Sequence, residues 1–572
     1  MDFKEKIAQL IAKQTGVSGE EVAQLLVVPP QGLGDYAFPC FIIAKAQKKN
    51  PVAVSSELAS KISAPFIEKV ESKGPYVNIF LAKTSLSSSV LDGIFDESAL
   101  KVKLGSGKVM VEYSGPNTNK PLHVGHLRNN ALGLAISNLL EVTGHEVIKA
   151  NLINDRGVHI CKSMLAYKLF GNNRDPVKEG IKTDHFVGEM YVLFNTKSKE
   201  DPTLEEKAQE LLVLWEKGDK EVIALWKKMN AWAIEGLKKT YSEFGTVFDK
   251  WFYESEMFKK GDKNALIEEG LKKGVFKKED NGAISALLEP SLPNKVIIRG
   301  DGTSLYATND LMLTQNKFDE FKLDKAIWVV ANEQDLYFKQ LFAIFEKLGR
   351  KWAKNCYHLS YGYVTLPSGK MKSREGTVVD ADDLIKEIED LAVEEISKRY
   401  PDLSEKKKQV RAHSIALAGI KFLLLKNDSK KDMVFDKVVA LAFDGETGPY
   451  VQYTFARAKS ILRKAQSEGL DINKITKADF SLLTHEKEKE LIIELAKYSD
   501  TIKRCWEDLS LHPLCHLLIG LSEKFNSYYH EVQVLNTEDK KNTLARLALV
   551  YATTIVIKQG LEMLDIEAIE EM

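Results

Sequence analysis

One strand–helix–strand pattern constrains the fold of this chain more than any other feature. The apolar run "KVMVEYS" from Lys108 is typical of a buried strand, and after a short loop leucine and isoleucine recur at helical spacing until Thr143 and Gly144 supply a stop. The segment "HEVIKANLI" then follows as a second strand. Two strands joined by one helix form a βαβ unit, so we predict an α/β fold built on a doubly wound parallel sheet.

The flanking segments indicate further domains, because a chain of 572 residues is too long for one hydrophobic core. Residues 1–105 contain a helical start and the alternating run "GPYVNIFLA", which together predict a small α+β domain. Residues 106–430 are predicted to form the sheet domain. It carries a charged helical insertion at about 160–290, before strand-like segments return at "NKVIIRG", "KAIWVVAN" and "CYHLSYGYVTL". Residues 431–572 are predicted to be all-α.

The composition excludes several classes of protein. A hydrophobic fraction of 44% with 28% charged residues is typical of a globular chain, and the net charge of −1 argues against nonspecific coating of nucleic acid. Local basic patches remain compatible with a nucleic-acid partner. No apolar run has the length of a membrane span, "MDFKEKIAQLIAKQTG" lacks the features of a signal peptide, and the five cysteines are scattered. We therefore expect a cytoplasmic protein without a membrane partner.

The loop after the first strand of the βαβ unit carries the first candidate site, in "GPNTNKPLHVGHLRNN". His123 and His126 are three residues apart, so they project from the same side of the first helical turn, and Gly125 lets a ligand approach the backbone. Helix N-termini at the carboxyl ends of parallel strands bind anions. We therefore predict that the two imidazoles donate hydrogen bonds to a phosphate in a transition state. The alternative is a pair of solvated histidines.

A second candidate is the Gly-flanked basic loop in "LPSGKMKSREGTVVDADDL", which contains Lys370, Lys372, Ser373 and Arg374. Taken alone, it is best interpreted as an exposed basic loop. Combined with the histidine turn, it predicts a clamp that closes on a triphosphate.

These two stretches resemble the HIGH and KMSKS signatures of class I aminoacyl-tRNA synthetases. The surrounding segments narrow the resemblance to the arginyl-tRNA synthetase family, since "DGTSLYATNDL", "VVANEQDLYFKQL", "DGETGPYVQYTFAR", "GDYAF" and "GPYVNIFL" are all similar to stretches typical of it. The resemblance implies a Rossmann-type catalytic domain, an N-terminal domain that binds the tRNA elbow and a C-terminal anticodon-binding domain. It also implies ATP-dependent activation of L-arginine to arginyl-adenylate and transfer to the 3′ end of tRNA(Arg), with release of AMP and pyrophosphate.

The resemblance assigns roles to individual residues. The catalytic residues it implies are His123, His126, Lys120, Lys370 and Lys372, and the ATP-binding residues are Gly125, His123, His126, Lys370, Met371 and Ser373. The arginine-binding residues it implies are Asn117, His126, Asn151, Tyr306, Asp310 and Gln334. A planar guanidinium group pairs well with a carboxylate, which Asp310 supplies, and Tyr306 precedes it by four residues on the same helical face. The alternative for that pair is an ordinary helix surface.

The tRNA-binding residues implied by the resemblance are Tyr76, Asn78, Tyr450, Tyr453 and Arg457. Aromatic rings and an arginine suit unstacked loop bases and phosphates. A packing corner below a Gly-Pro turn, or a strand whose side chains alternate in and out, would leave the same pattern. The expected partners are tRNA(Arg), L-arginine and ATP with Mg²⁺ on its phosphates. We expect no metal ligated by the protein, and a monomer.

Three positions depart from the family pattern: Gly115, Asn309 and Ser373 stand where serine, arginine and lysine are usual. Lys120 is a candidate for the missing positive charge, and which of Lys120, Lys370 and Lys372 contacts the transferring phosphate stays open. Another class I synthetase, a nucleotidylyltransferase and a non-catalytic tRNA-binding paralogue are the rival interpretations. Another class I synthetase fits poorly, because the sequence lacks the zinc ligands of a cysteinyl enzyme and the large editing insertion of the enzymes for aliphatic amino acids. A nucleotidylyltransferase fits poorly because such enzymes are usually far shorter than this chain.

Overall fold

The computed structural model describes residues 3–30, 32–256, 263–303, 305–365, 367, 379–536 and 538–572, with the side chains of residues 83, 84, 263 and 306 excepted. Four predicted site residues, Lys370, Met371, Lys372 and Ser373, therefore lie outside the described residues, as does the side chain of Tyr306.

The N-terminal domain packs helices against a three-stranded antiparallel sheet with the order β1-β3-β2. Its elements are α1 (Phe3–Thr15), α2 (Gly19–Leu25), β1 (Tyr36–Pro39), α3 (Phe41–Gln47), α4 (Pro51–Lys61), β2 (Ile67–Lys73), β3 (Tyr76–Leu81) and α5 (Lys83–Phe95). The ring of Phe95 stacks on that of Tyr551 with 5.8 Å between centroids, so α5 docks this domain onto the C-terminal helices. The predicted α+β composition is confirmed.

A five-stranded parallel sheet with the order β11-β10-β4-β5-β6 forms the centre of the molecule. Its strands are β4 (Lys108–Glu112), β5 (Glu146–Ile153), β6 (Lys250–Tyr253), β10 (Lys325–Ala331) and β11 (Cys356–Tyr361). The βαβ unit is confirmed, since α6 (Val124–Val142) joins β4 to its parallel neighbour β5. The chain then builds outward from β5 and later returns to the other side of β4. This reversal makes the carboxyl ends of β4 and β10 a topological switch point, where ligands bind in such sheets.

The insertion differs from the prediction in two respects. It begins as expected with helices, namely α7 (Val158–Phe170), α8 (Pro176–Glu179), α9 (Thr183–Glu200), α10 (Thr203–Glu216) and α11 (Lys220–Phe244). However, β6 lies inside the predicted range 160–290 and is an edge strand of the central sheet. Conversely, "NKVIIRG" contains β9 (Lys295–Ile298), which pairs with β8 (Ile284–Ala286). The other edge of β8 pairs with β7 (Phe276–Lys278), so these three strands form a separate antiparallel sheet. Residue pattern predicts a strand but not its partner.

The remaining elements complete the sheet domain and form the C-terminal helical domain. They are α12 (Lys263–Lys272), α13 (Tyr306–Phe321), α14 (Asp335–Lys347), β12 (Val364–Thr365), α15 (Ala381–Arg399), α16 (Glu405–Leu425), β13 (Met433–Val434), α17 (Lys437–Ala440), α18 (Gly448–Ser467), α19 (Glu486–Ala496), α20 (Tyr498–Asp508), α21 (His512–Glu531) and α22 (Lys540–Met563). By length and composition α22 could span a membrane, but 67% of its most apolar window is buried inside the fold, as in a core helix.

Two adjacent side chains of α6 fix this helix against the sheet. Arg128 is fully buried, and its guanidinium group donates to the backbone carbonyls of Gly362 (2.6 Å), Tyr363 (3.4 Å), Ser429 (3.1 Å) and Lys431 (3.0 Å). Asn129 accepts from the Ser114 amide and donates to the Val329 carbonyl and the Tyr361 hydroxyl, which lie at the ends of three strands. A buried cation shared by carbonyl oxygens is costly to remove, so the first turns of α6 are held rigidly.

Candidate active site

A cavity of about 720 Å³ opens at the carboxyl ends of β4, β5, β10 and β11, within the size range of small-molecule sites. The histidine turn of α6 forms part of its wall, and α13 and α14 contribute other parts. Side chains that line it include Glu112, His123, His126, Asp310, Lys317, Trp328, Glu333, Phe338 and Tyr361, together with Gly125. The cavity therefore lies at the switch point of the sheet.

The two histidines form one rigid unit at the start of α6. The Nδ1 atom of His126 accepts a hydrogen bond from the backbone N–H of His123 at 3.1 Å, and the ring centroids are 3.9 Å apart. Because Nδ1 of His126 is an acceptor, its neutral ring carries the proton on Nε2. The Nδ1 atom of His123 is buried and has no hydrogen-bond partner among the described residues.

Burial, followed by the charge of Lys120, lowers the pKa of His123 to about 3. Burial and the neighbouring His123 and Lys120 lower the pKa of His126 well below its usual value. Both rings are therefore neutral near pH 7, and each can donate through a ring N–H to an anionic oxygen without first losing a proton.

Gly125 permits this arrangement because it has no side chain. A Cβ atom built at this position would lie 3.0 Å from both Cε1 and Nδ1 of the His123 ring, closer than an ordinary van der Waals contact. The glycine predicted as a point of close ligand approach thus also leaves room for the histidine ring itself.

Lys120 lies behind the histidine turn. It lines a second cavity of about 560 Å³, which it shares with His123 and with residues of α9. Burial lowers the pKa of its ammonium group. Its charge acts on both histidines, which places it close enough to influence an anion held by them.

Acidic side chains form another part of the main cavity. The Asp310 carboxylate accepts a hydrogen bond from the Tyr337 hydroxyl, and Glu112 pairs with Lys317, whose side chain is 2% exposed. Burial raises the pKa of Asp310 to about 6, although the hydrogen bond from Tyr337 and the charge of Lys317 oppose this. A carboxylate that burial desolvates is well suited to pair with a cation.

Sequence reasoning missed Glu112, Tyr337 and Lys317. Glu112 ends β4 immediately before the loop that leads to the histidines, and an acidic residue at that end of a strand is a usable signal. Tyr337 and Lys317 had no comparable signal, because only the packing of α13 against α14 and β4 brings them to Asp310 and Glu112.

Three predicted arginine contacts do not line the cavity. Asn151 is fully buried, where its Oδ1 accepts from the Gly115 amide at 3.1 Å and its Nδ2 donates to the Tyr241 hydroxyl at 3.2 Å. It supports the loop that Gly115 begins. Asn117 forms a backbone bridge with Asn154, and the exposed Gln334 ends a short 3₁₀ helix. A matching residue type does not reveal the direction of its side chain.

Arg457 of α18 is the centre of an aromatic cluster in the C-terminal domain. It donates to Asn526 Oδ1 (2.6 Å) and to the Tyr453 hydroxyl (2.7 Å), and it lies over the rings of Tyr453 and Tyr529. Both Tyr453 and Arg457 line a groove of about 800 Å³, which also contains Arg411, Arg463 and Lys464. The Tyr450 hydroxyl, by contrast, accepts from Asn526 and does not line this groove.

The two predicted tRNA contacts of the N-terminal domain differ in exposure. Tyr76 is 38% exposed and packs edge-on against the exposed ring of Phe41, whereas Asn78 is only 3% exposed. The tRNA contact of Asn78 stays a prediction, and its low exposure favours the alternative of a strand whose side chains alternate in and out. Asn78 lies on the inner strand of the sheet, between β1 and β2, and its side chain is covered.

One cluster of the described residues has the composition of a metal site. The ligand atoms of Asp184, His185 and Asp382 all lie within 4.8 Å of one another. The Lys182 ammonium group donates to both Asp184 and Asp382, so a protein cation already pairs with these two carboxylates.

Comparisons with known proteins cover the whole chain. Residues 93–437 match the family model described as "tRNA synthetases class I (R), catalytic domain", residues 451–572 match "DALR anticodon binding domain", and residues 1–81 match "Arginyl tRNA synthetase N terminal domain". The arginine–tRNA ligase of Treponema denticola is 44% identical over 95% of this chain and 94% of its own length. That of Borreliella burgdorferi is 41% identical over 94% and 92%, respectively.

Solved structures show the same fold. The arginyl-tRNA synthetase of Thermus thermophilus superposes with a TM-score of 0.83 at 26% identity, covering 100% of both chains. The Plasmodium falciparum arginyl-tRNA synthetase superposes with a TM-score of 0.79 at 19% identity, covering 100% of this chain and 99% of its own.

Proposed function

Because the chain belongs to the arginyl-tRNA synthetase family, we propose that the cavity between the histidine turn and Asp310 is its catalytic centre. The protein is an arginine–tRNA ligase, which activates arginine with ATP and transfers it to tRNA. The observation that supports this site best is that one cavity contains both neutral imidazole donors and the desolvated carboxylate of Asp310.

In the first step, an oxygen of the arginine carboxylate attacks the α-phosphorus of ATP. The P–O bond to the β-phosphate breaks, and its electrons leave with pyrophosphate. Negative charge accumulates on the non-bridging oxygens of the α-phosphate, and donors in fixed positions stabilise that charge without reorganisation. His126 donates through Nε2, and the buried, unpartnered Nδ1 of His123 is available to form a second hydrogen bond.

The acids of the cavity select arginine. The guanidinium group offers parallel N–H donors that match a carboxylate, and Asp310 accepts them while Tyr337 fixes its orientation. Glu112 adds a second carboxylate whose charge is shared with Lys317. Lysine would fill the space with a single ammonium group and leave acceptors unpaired, so it is rejected.

In the second step, a ribose hydroxyl at the 3′ end of the tRNA attacks the carbonyl carbon of the adenylate, and AMP leaves. The groove around Tyr453 and Arg457 is the proposed anticodon interface, because it combines aromatic rings with cations. ATP acts as its Mg²⁺ complex, with the metal held mainly by phosphates and water. The enzyme works as a cytoplasmic monomer.

Pyrophosphate exchange into ATP tests the proposal. We expect exchange with arginine and tRNA(Arg), and none with lysine or glutamine. The His126→Ala variant should lower kcat about 100- to 1,000-fold, the usual effect of losing one transition-state donor. Exchange supported by lysine, or full activity of His126→Ala, would contradict the site. Omitting tRNA from the same assay determines whether activation depends on it.

A further inference from the structure

A polar cluster joins the helical insertion to the start of α15, next to the catalytic centre. It consists of Lys182, Asp184, His185 and Asp382, with the hydroxyl of Thr240. Nε2 of His185 is 2.8 Å from Oδ2 of Asp382, and Nζ of Lys182 donates to Thr240 at 2.6 Å and to both carboxylates. The cluster therefore connects α9 and α11 to the first turn of α15.

The cluster is tightly enclosed. Asp184 is fully buried, and a Cβ atom built at Gly236 on α11 would lie 2.2 Å from its Oδ1. Although burial opposes it, hydrogen bonds from His185 and Lys182 lower the pKa of Asp382 to about 2. Ion pairs of this kind contribute little net stability, but they favour one arrangement of the elements that carry them.

The backbone beside the cluster runs directly along the histidine turn. Ala381 N–H donates to the Leu122 carbonyl at 3.0 Å, and Val124 N–H donates to the Val379 carbonyl at 3.3 Å. These bonds frame an antiparallel bridge between His123 and Asp380. The Asp380 side chain accepts from the amide of Asp382 at 2.8 Å. Whatever fixes residues 380–382 therefore also fixes the backbone of His123.

A second contact links the same elements. A Cβ atom built at Gly188 of α9 would lie 2.9 Å from Cδ of Pro121, so this helix packs directly on the chain that leads into the turn. The insertion thus touches the histidine turn through Pro121 and, by way of the cluster, through residues 379–381.

We propose that Lys182, His185 and Asp382 are positioning residues for His123: they dock the helical insertion on the start of α15 and thereby hold the histidine turn in its catalytic geometry. This inference rests on the proposed role of the histidines. The ammonium group of Lys182 supplies the positive charge that a metal would otherwise bring to these acids. Without the cluster, His123 keeps its chemistry but loses its placement, and displacements of about 1 Å cost on the order of 100-fold in rate.

The test uses Lys182→Met and Asp382→Asn in the full-length enzyme, assayed by arginine-dependent pyrophosphate exchange with saturating tRNA. We expect kcat to fall about 10- to 100-fold in each variant. The KM for arginine should stay within about twofold, because the carboxylate of Asp310, on α13, is held by the Tyr337 hydroxyl of α14. The kcat of the double variant should be no lower than that of the less active single variant, because both changes break the same unit.

Asp390→Asn is the matched control. Asp390 lies further along α15 than Asp382 and pairs with Lys386 at 2.7 Å, and both of these side chains are exposed. Its kcat should equal that of the wild type. His185→Gln is a milder variant, because the His185 side chain is 30% exposed and the pair of Lys182 and Asp382 remains. We expect a smaller loss of kcat with an unchanged Tm.

Three outcomes would overturn the inference. The first is an exchange kcat within twofold of the wild type in both Lys182→Met and Asp382→Asn, and the second is a kcat loss in the double variant that equals the sum of the single losses in free energy. The third is a rise in the KM for arginine as large as the fall in kcat. A kcat loss fully explained by unfolding at the assay temperature, with no effect of His185→Gln, would also overturn it. His126→Ala is run in parallel. If that variant retained full activity, the proposed catalytic centre would be wrong rather than the positioning role.

Discussion

Replacing Asp310 by asparagine should change arginine binding and protein stability in opposite directions. The substitution keeps an oxygen that can accept from Tyr337 but removes the charge that pairs with the substrate. Leaving a buried ionic group without its partner costs about 3–5 kcal/mol, and the lower value applies here because Glu112 also lines the cavity. The KM for arginine should therefore rise at least ~100-fold.

The free enzyme should become more stable. Burial raises the pKa of Asp310 from 3.8 to about 6, so the ionised carboxylate destabilises the folded state by up to about 3 kcal/mol at pH 7.5. At pH 5 the folded state already holds the proton, and the gain falls to roughly half; below the unfolded pKa of 3.8 it disappears. A gain of this size corresponds to a Tm increase of up to ~4 °C for the sheet domain.

Two measurements check this prediction: the arginine KM in pyrophosphate exchange, and the Tm of the variant and wild type at pH 7.5 and pH 5 without substrate. In the wild type, arginine affinity should also weaken as the pH falls below about 6, because the substrate requires the ionised form. A KM within threefold of the wild type would show that the guanidinium group binds elsewhere. A lower Tm at pH 7.5 would refute the description of Asp310 as a desolvated carboxylate.

Three further substitutions test other parts of the structure. Gly125→Ala should reduce the exchange kcat about tenfold or more, with the KM for arginine unchanged, because the new methyl group displaces the His123 ring; an unchanged kcat would show that the ring can move without loss. Arg457→Ala should weaken tRNA binding, measured by filter binding, by about 1–3 kcal/mol and reduce the slope of log Kd against log salt concentration by about one. An unchanged slope would exclude a phosphate contact. Arg128→Met should lower the free energy of unfolding in urea by more than ~3 kcal/mol, because four carbonyl oxygens lose their donor; a loss below 1 kcal/mol would contradict that role.

The spacing of apolar residues predicted the central elements of the fold correctly where it follows the period of a strand or a helix. The alternation and helical spacing between Lys108 and Ile153 gave the βαβ unit, and the histidine turn falls at the helix start as expected. The same patterns failed for β6, a four-residue strand within a charged region, and for β9, whose partner β8 lies outside the central sheet. A strand pattern indicates burial and direction, but pairing depends on the rest of the fold.

By itself, the sequence determined the order of the domains, the family and the residue types at the site, because motifs such as "HVGH" and "DGTSLYATNDL" are contiguous in the chain. Only the tertiary structure decided the states and directions of those side chains. Segments distant in sequence determine three features of the site: the neutral state of His126, the buried side chain of Asn151 and the contact between Lys182 and Asp382. Desolvation and hydrogen bonding are properties of a packed environment, and that environment exists only once those segments have come together.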